Sequence, residues 1–324
     1  MKKIMYAALA AMIGLAVQNN ATAQQTVVAQ ETILGLDSFN NIVSIQSDAP
    51  SVGTPAAVGG LVMGDSLVGI DFRPGTGQLY ALGSLNNVYT LDLDTFDATV
   101  VGNFADGVND DPAGPGSLSG NQFAFDFNPA FTPDASQNAS GSFARIISDT
   151  DTNRVINGNT GEYLGGAKTN VFYTAGSADP NIQGIAYDNN VFGSTATQQF
   201  GIDVNQDDLV TIANNAGTLV LVGDLGIDVS GDVGFDISGA TGIGFATFTT
   251  GGQANASIVT GGQGFSELYT IDLSDGTPTL LGAFGSNSSN IRSLTVVGAA
   301  VPEPGSASLL ALGLAAFAGR RRRK

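Results

Sequence analysis

The sequence predicts an all-β chain folded as a β-propeller of about five blades, with the last blade closed by both termini. Three observations lead there: strand-and-turn punctuation without amphipathic helices, a four-residue strand that recurs at near-regular spacing, and a permuted repeat at the two chain ends. Glycine contributes 44 of 324 residues and only 13% are charged, yet 43% are hydrophobic, enough to bury a core. Short apolar runs, alternating or continuous, are broken by Gly, Asn and Asp, as strands and turns require.

The recurring strand is Gly69-Ile70-Asp71-Phe72, then Ala124-Phe125-Asp126-Phe127, Gly184-Ile185-Ala186-Tyr187 and Gly234-Phe235-Asp236-Ile237. Its third positions lie 55, 60 and 50 residues apart. A second motif, Asn87-Val88-Tyr89-Thr90-Leu91-Asp92-Leu93, returns as Glu267-Leu268-Tyr269-Thr270-Ile271-Asp272-Leu273. By the period of two, Tyr, the next aliphatic residue and Leu should share one face, with Thr and Asp on the other. Each copy precedes a short strand ending in glycine, Thr99–Gly102 and Thr279–Gly282, and Thr218–Gly223 is a degenerate version.

A fifth opening strand, Ile291–Val297, has no partner strands after it. The N-terminus supplies them, since Ile33–Asn41 aligns with Leu79–Asn87. Four-stranded sheets cannot bury both faces alone, so repeated sheets stack around an axis. Sharing one blade between the termini closes the ring and hides strand edges that would template aggregation. A sandwich or solenoid of the same strands is the competing architecture. No composition shift marks a second domain, and Asp106–Gly120 reads as a long loop.

The ends read as addresses. Residues 1–23 form a signal peptide: Lys2 and Lys3, an apolar stretch, then Ala21-Thr22-Ala23, placing cleavage between Ala23 and Gln24 and calling on the export machinery. Residues 301–324 hold Val301-Pro302-Glu303-Pro304, an apolar segment from Gly305 to Gly319, and five terminal cations. The apolar segment would make a helix of roughly 22 Å, short for a membrane span. The tail resembles the PEP-CTERM sorting signal of Gram-negative bacteria that make exopolysaccharide. The resemblance implies transient anchoring, processing by an exosortase-type membrane protease, and a final place at the cell surface or outside the cell.

The ends also hold seven of the twelve cations, so residues 24–300 keep five against 28 acids, a formal charge of −23. Such a body repels nucleic acid, which is excluded as a partner. The absence of Cys and His removes disulfides, thiolate and imidazole metal sites and His-based triads. Across residues 31–298 the repeats, with Phe123-Ala-Phe-Asp-Phe-Asn-Pro129, Ala144-Arg-Ile-Ile-Ser-Asp-Thr150 and Phe200-Gly-Ile-Asp203, resemble the bacterial domain-of-unknown-function family 4394. That resemblance implies a propeller-like fold and brings no catalytic residues.

Two loops space oxygens as calcium loops do: Asp203, Asn205 and Asp207, and Asp149, Asp151 and Asn153. Both lack the loop glycine and the closing glutamate, and Asp and Asn equally favour ordinary turns. Calcium is the one cofactor the sequence suggests. Asp71, Asp126 and Asp236 repeat within strands, which favours a hydrogen-bonding role over catalysis. Gly251-Gly252 and Gly261-Gly262 read as hairpin turns, and Asn138, Asn255 and Asn287 are Asn-x-Ser sites. The leading functional expectation is an exported, surface-sorted, non-catalytic structural or binding module, with exopolysaccharide as its partner. The alternative is an extracellular carbohydrate-active enzyme using Asp and Tyr side chains.

Overall fold

The computed structural model describes residues 30–106, 118–130, 143–165, 168–176, 178–249, 265–285 and 290–298. The signal peptide, the sorting tail, the interior of the Asp106–Gly120 loop, the two glycine pairs and the three Asn-x-Ser sites lie outside these residues.

The chain opens with β1 (Thr32–Asp37), β2 (Asn41–Gln46) and β3 (Pro55–Ala57). Blade 1 follows as β4 (Leu67–Arg73), β5 (Gln78–Gly83), β6 (Asn87–Leu91) and β7 (Ala98–Asn103). Blade 2 is β8 (Phe123–Phe127), β9 (Phe143–Ser148) and β10 (Asn153–Asn157). Next come β11 (Phe172–Tyr173), β12 (Ile182–Tyr187), β13 (Gln199–Asp203), β14 (Asp208–Ala213) and β15 (Thr218–Asp224), which form blade 3. Here β11 adds in parallel to the outer edge, beside β15. Blade 4 is β16 (Ser230–Ile237), β17 (Gly244–Thr249), β18 (Ser266–Ile271) and β19 (Pro278–Ala283), and β20 (Ile291–Val296) ends the chain.

Among the described residues these strands make five sheets, and β20 returns to pair antiparallel with β1. Ile33 faces Val296, Leu34 faces Thr295 and Gly35 faces Leu294. Blade 5 therefore has the order β20-β1-β2-β3, three strands from the N-terminus and one from the C-terminus. The ring is closed as the permuted repeat predicts, which rules out the sandwich and the solenoid. The recurring four-residue strands are the innermost strands β4, β8, β12 and β16, and with β20 they pack side by side around one axis.

Burial falls from axis to rim. Every residue of β4, β8 and β12 is buried, whereas β7 and β19 are largely exposed or half-buried. The apolar side chains fall into five clusters, one in each gap between neighbouring blades. The period of two produces this division. In blade 1, Tyr80, Leu82 and Val88 pack toward blade 2, and Leu79, Ala81, Tyr89 and Leu91 pack toward blade 5. Each blade thus needs two apolar faces, and neighbours supply the cover.

The face assigned to Asp92 and Leu93 needs correction. β6 ends at Leu91, and Asp92 opens a turn in which its Oδ1 accepts the N–H groups of Asp94 and Thr95, both at 2.9 Å. Asp272 does the same for Ser274 N–H at 2.9 Å. A carboxylate that can bond its own backbone two residues on terminates the strand before alternation can continue. Leu93 is left 49% exposed.

Glycine at the first position of the inner strand reflects close packing at the axis. A Cβ on Gly234 would sit 2.7 Å from the backbone nitrogen of Leu294 in β20, and one on Gly69 would sit 2.7 Å from Phe125 Cβ. Gly234→Ala should therefore destabilise the ring by about 1–3 kcal/mol through overpacking against rigid backbone. A thermal melt reads this as a loss of roughly 2–4 °C per kcal/mol; an unchanged melt would mean that the inner strands are free to spread.

Candidate functional site

The inner strands carry Asp71, Asp126 and Asp236 at equivalent positions, and closure brings all three to the axis. Each is 1% exposed, and each offers a carboxylate oxygen within 4.8 Å of the others. The blade 5 equivalent is Thr295, fully buried, and the blade 3 equivalent is Ala186.

Each side chain reaches one blade ahead. Asp71 Oδ2 accepts Phe127 N–H at 2.7 Å, Asp126 Oδ2 accepts Tyr187 N–H at 2.8 Å, and Asp236 Oδ2 accepts Val296 N–H at 2.7 Å. Thr295 Oγ1 accepts Phe72 N–H at 3.3 Å, and the neighbouring Ser293 Oγ accepts Ile70 N–H at 3.0 Å. Four of the five junctions are pinned in this way. Ala186 has no acceptor to offer blade 4, and the Ile237 N–H there is taken by Oδ1 of Asp236 itself, at 2.6 Å. Inner-strand amides facing the axis have no neighbouring sheet strand on that side, so side chains satisfy them.

Crowding three acids away from water leaves protons among them. Burial, opposed by hydrogen bonds from Phe127 N–H, Asp126 and Thr295, pushes the Asp71 carboxyl up to about 6. Burial, then the charges of Asp71 and Asp236, raises Asp126 well above the usual carboxylate range, and burial with the charge of Asp71 raises Asp236. Asp71 and Asp126 hydrogen-bond to one another, which requires a proton between them. Thr295 Oγ1 lies 2.9 Å from Asp71 Oδ1 and 3.1 Å from Asp236 Oδ2, but its single hydrogen can serve only one of them. Oxygen donors this close have the chemistry of a hard-cation site, but their lone pairs are directed at backbone amides and at one another. The arrangement is one of proton sharing. The repeated Asp was legible in the sequence; its convergence was not.

A second polar group lies between blades 2 and 3. Arg145 of β9 is 5% exposed, and among the described residues its hydrogen-bond partners are all neutral. Nε donates to Tyr187 Oη at 3.0 Å, Nη1 to Asn153 Oδ1 and to Asn214 O, and Nη2 to Asn215 Oδ1 at 3.0 Å. Asn214 and Asn215 sit in the one-turn 3-10 segment Asn214–Ala216 between β14 and β15. These residues, with Phe143 and Lys168, line a cavity of about 220 Å³. Lys168 Nζ bonds the carbonyls of Leu164 and Gly165 and lies 5.4 Å from the centre of the Tyr163 ring. Sequence reading did not single this site out. The signal was there in retrospect, because two of only five cations in the body meet in one cavity.

The two acidic loops approach one another without gathering their six predicted residues around one point. Burial, then the charges of Asp179, Asp203 and Asp149, pushes the Asp151 carboxyl up to about 6, and its buried Oδ1 has no hydrogen-bond partner. Asp203 is fully buried and spends its oxygens on the N–H groups of Asn181 and Asn205, both at 3.0 Å, and on Tyr173 Oη at 2.6 Å. Asn205 Nδ2 donates to the Asp179 carbonyl, and Asp207 Oδ1 accepts Val229 N–H at 2.8 Å. Asp149 Oδ1 accepts Asn121 N–H, while Asn153 turns inward to the Arg145 guanidinium.

Together the fold and its axis define a closed five-bladed propeller whose inner strands are pinned by buried hydroxyl and carboxyl groups. The chain belongs to the DUF4394 family, a domain of unknown function, which matches residues 41–295. The PEP-CTERM protein-sorting motif matches residues 300–323 and implies export, sorting to the cell surface and processing by an exosortase. No curated protein matches the chain. Similar solved structures include one described as a nidogen/laminin complex, with 10% identity and a TM-score of 0.45, covering 82% of this chain and 98% of that one. Another is a structural genomics protein of unknown function from Bacteroides thetaiotaomicron, with 13% identity and a TM-score of 0.42, covering 78% of this chain and 57% of that one. A third is PorZ of Porphyromonas gingivalis, described as a surface component of the type-IX secretion system. It has 12% identity and a TM-score of 0.35, and the match covers 80% of this chain and 28% of that one.

Proposed function

We propose that the sorted propeller is a non-catalytic binding or structural module of the cell envelope or its exopolysaccharide matrix. The observation that carries this reading is the state of the axial acids. A glycoside hydrolase needs two carboxyl groups flanking a sugar, one of them free to give up a proton to the leaving group. Asp71, Asp126 and Asp236 are buried, face one another and hold backbone N–H groups of the next blade. They act on the fold, not on a substrate. The sorting tail supplies the place, and the strongly acidic body favours a solvated surface role over attachment to anionic lipid.

The full chain incubated with a panel of soluble polysaccharides should retain one or more of them in a pull-down and release no new reducing ends. Release of reducing ends that is lost in Asp126→Asn would overturn the reading in favour of a hydrolase.

A further inference from the structure

We infer that the cavity between blades 2 and 3 is a binding site for a carboxylate carried on a small hydroxylated body, of the hexuronate class. The inference rests on the binding-module reading and names its ligand chemistry. Buried charges are ordinarily paired, yet the Arg145 guanidinium, 5% exposed, hydrogen-bonds only to neutral oxygens among the described residues. Four of its five N–H groups are engaged by these partners, which leaves one on Nη2 for a ligand. The Lys168 ammonium lies on the same wall and adds a second positive charge. In a body with five cations and 28 acids, this pairing makes a local positive site.

Charge and size narrow the ligand. The surrounding field is strongly negative, so a monoanionic carboxylate is better tolerated than a dianionic phosphate. A volume of about 220 Å³ is below the usual range for drug-sized ligands and suits one sugar-sized group. The amides of Asn128, Asn214 and Asn215 offer donors and acceptors for hydroxyls, and Phe143 offers an apolar face.

The test is calorimetry on the full chain with glucuronate, glucose and inorganic phosphate. Glucuronate should bind at least about tenfold more tightly than glucose or phosphate. Arg145→Gln should remove the preference for glucuronate over glucose. Because that change touches a buried network, Lys168→Gln, at the more exposed cation, serves as the second variant and should weaken glucuronate several-fold with a smaller loss of melting temperature than Arg145→Gln. Equal binding of glucose and glucuronate, tighter binding of phosphate, or full binding by both cation variants would each overturn the inference. Retention of an acidic polysaccharide by Arg145→Gln would refute this pocket while leaving the module reading intact. Depolymerisation of that polysaccharide would refute the module reading instead.

Discussion

Asp126→Asn should raise the melting temperature at pH 8 and leave it nearly unchanged at pH 4. The sign follows from the axial carboxyls. Burial holds Asp71 at about 6 in the folded chain against an ordinary 3.8, and it raises Asp126 and Asp236 well above the usual carboxylate range. Below about pH 4 the carboxyl is protonated folded and unfolded alike, and it costs the fold nothing. As pH rises from about 4 to 6 the unfolded chain ionises first, so stability falls; above the folded value the whole cost is present. For a shift of Asp71's size that cost is about 3 kcal/mol. Asparagine reproduces the protonated form of Asp126: its oxygen still accepts Tyr187 N–H, its amide still donates to Asp71, and it cannot ionise. Asp126→Ala loses the acceptor and should be about 1–3 kcal/mol less stable than Asp126→Asn at both pH values. Melts monitored by far-UV circular dichroism check this, since the chain has no Trp. If Asn destabilises more at pH 8 than at pH 4, the acids are ionised in the fold and the proton-sharing account is wrong.

Ending the chain after Asn290 should cost far more than ending it after Gly298. The first truncation removes β20, whose Ile291, Leu294 and Val296 are buried in the cluster between blades 4 and 5. Three such side chains contribute about 1.5–3 kcal/mol each. Removal also strips Phe72 and Ile70 N–H of their acceptors, leaves Asp236 without Val296, and bares the edge of β1. The sum rivals the whole stability of a typical domain, about 5–15 kcal/mol. Urea unfolding of the two truncations should show a folded baseline for the longer chain and either none or aggregation for the shorter. Superimposable curves would mean that four blades hold together without the fifth.

Much of this fold was legible because propeller repeats write burial into short strings. The alternation in Leu79–Leu82 and Val88–Leu91 sends side chains to both blade faces, and a blade with two apolar faces has to be stacked. The permuted match of Ile33–Asn41 to Leu79–Asn87 places β1 and β2 in register with β5 and β6, and the orphan strand Ile291–Val297 fills the vacant inner place. Turns were less legible. Asp92 and Asp272 look like strand residues by period, and only their bonds to the following N–H groups show where the strands stop.

The functional chemistry divides along the same line. Sequence alone determined the destination of the chain, since the Pro-Glu-Pro motif, the short apolar segment and the terminal cations are contiguous and act as a linear signal. It also pointed to about five blades and to closure, through local periodicity and repeat spacing, and the pairing of β20 with β1 settled both. What only the tertiary structure decided is which distant side chains meet. Asp71, Asp126 and Asp236 are separated by 55 and 110 residues, and they share protons because ring closure puts one position of every blade on a common axis. Arg145, Tyr187, Asn214 and Asn215 come from two blades and three loops or strands, and no spacing in the sequence encodes their contact. Periodicity is a property of neighbours along the chain. A site is a property of neighbours in space, and in a ring those are set by the stacking of whole sheets.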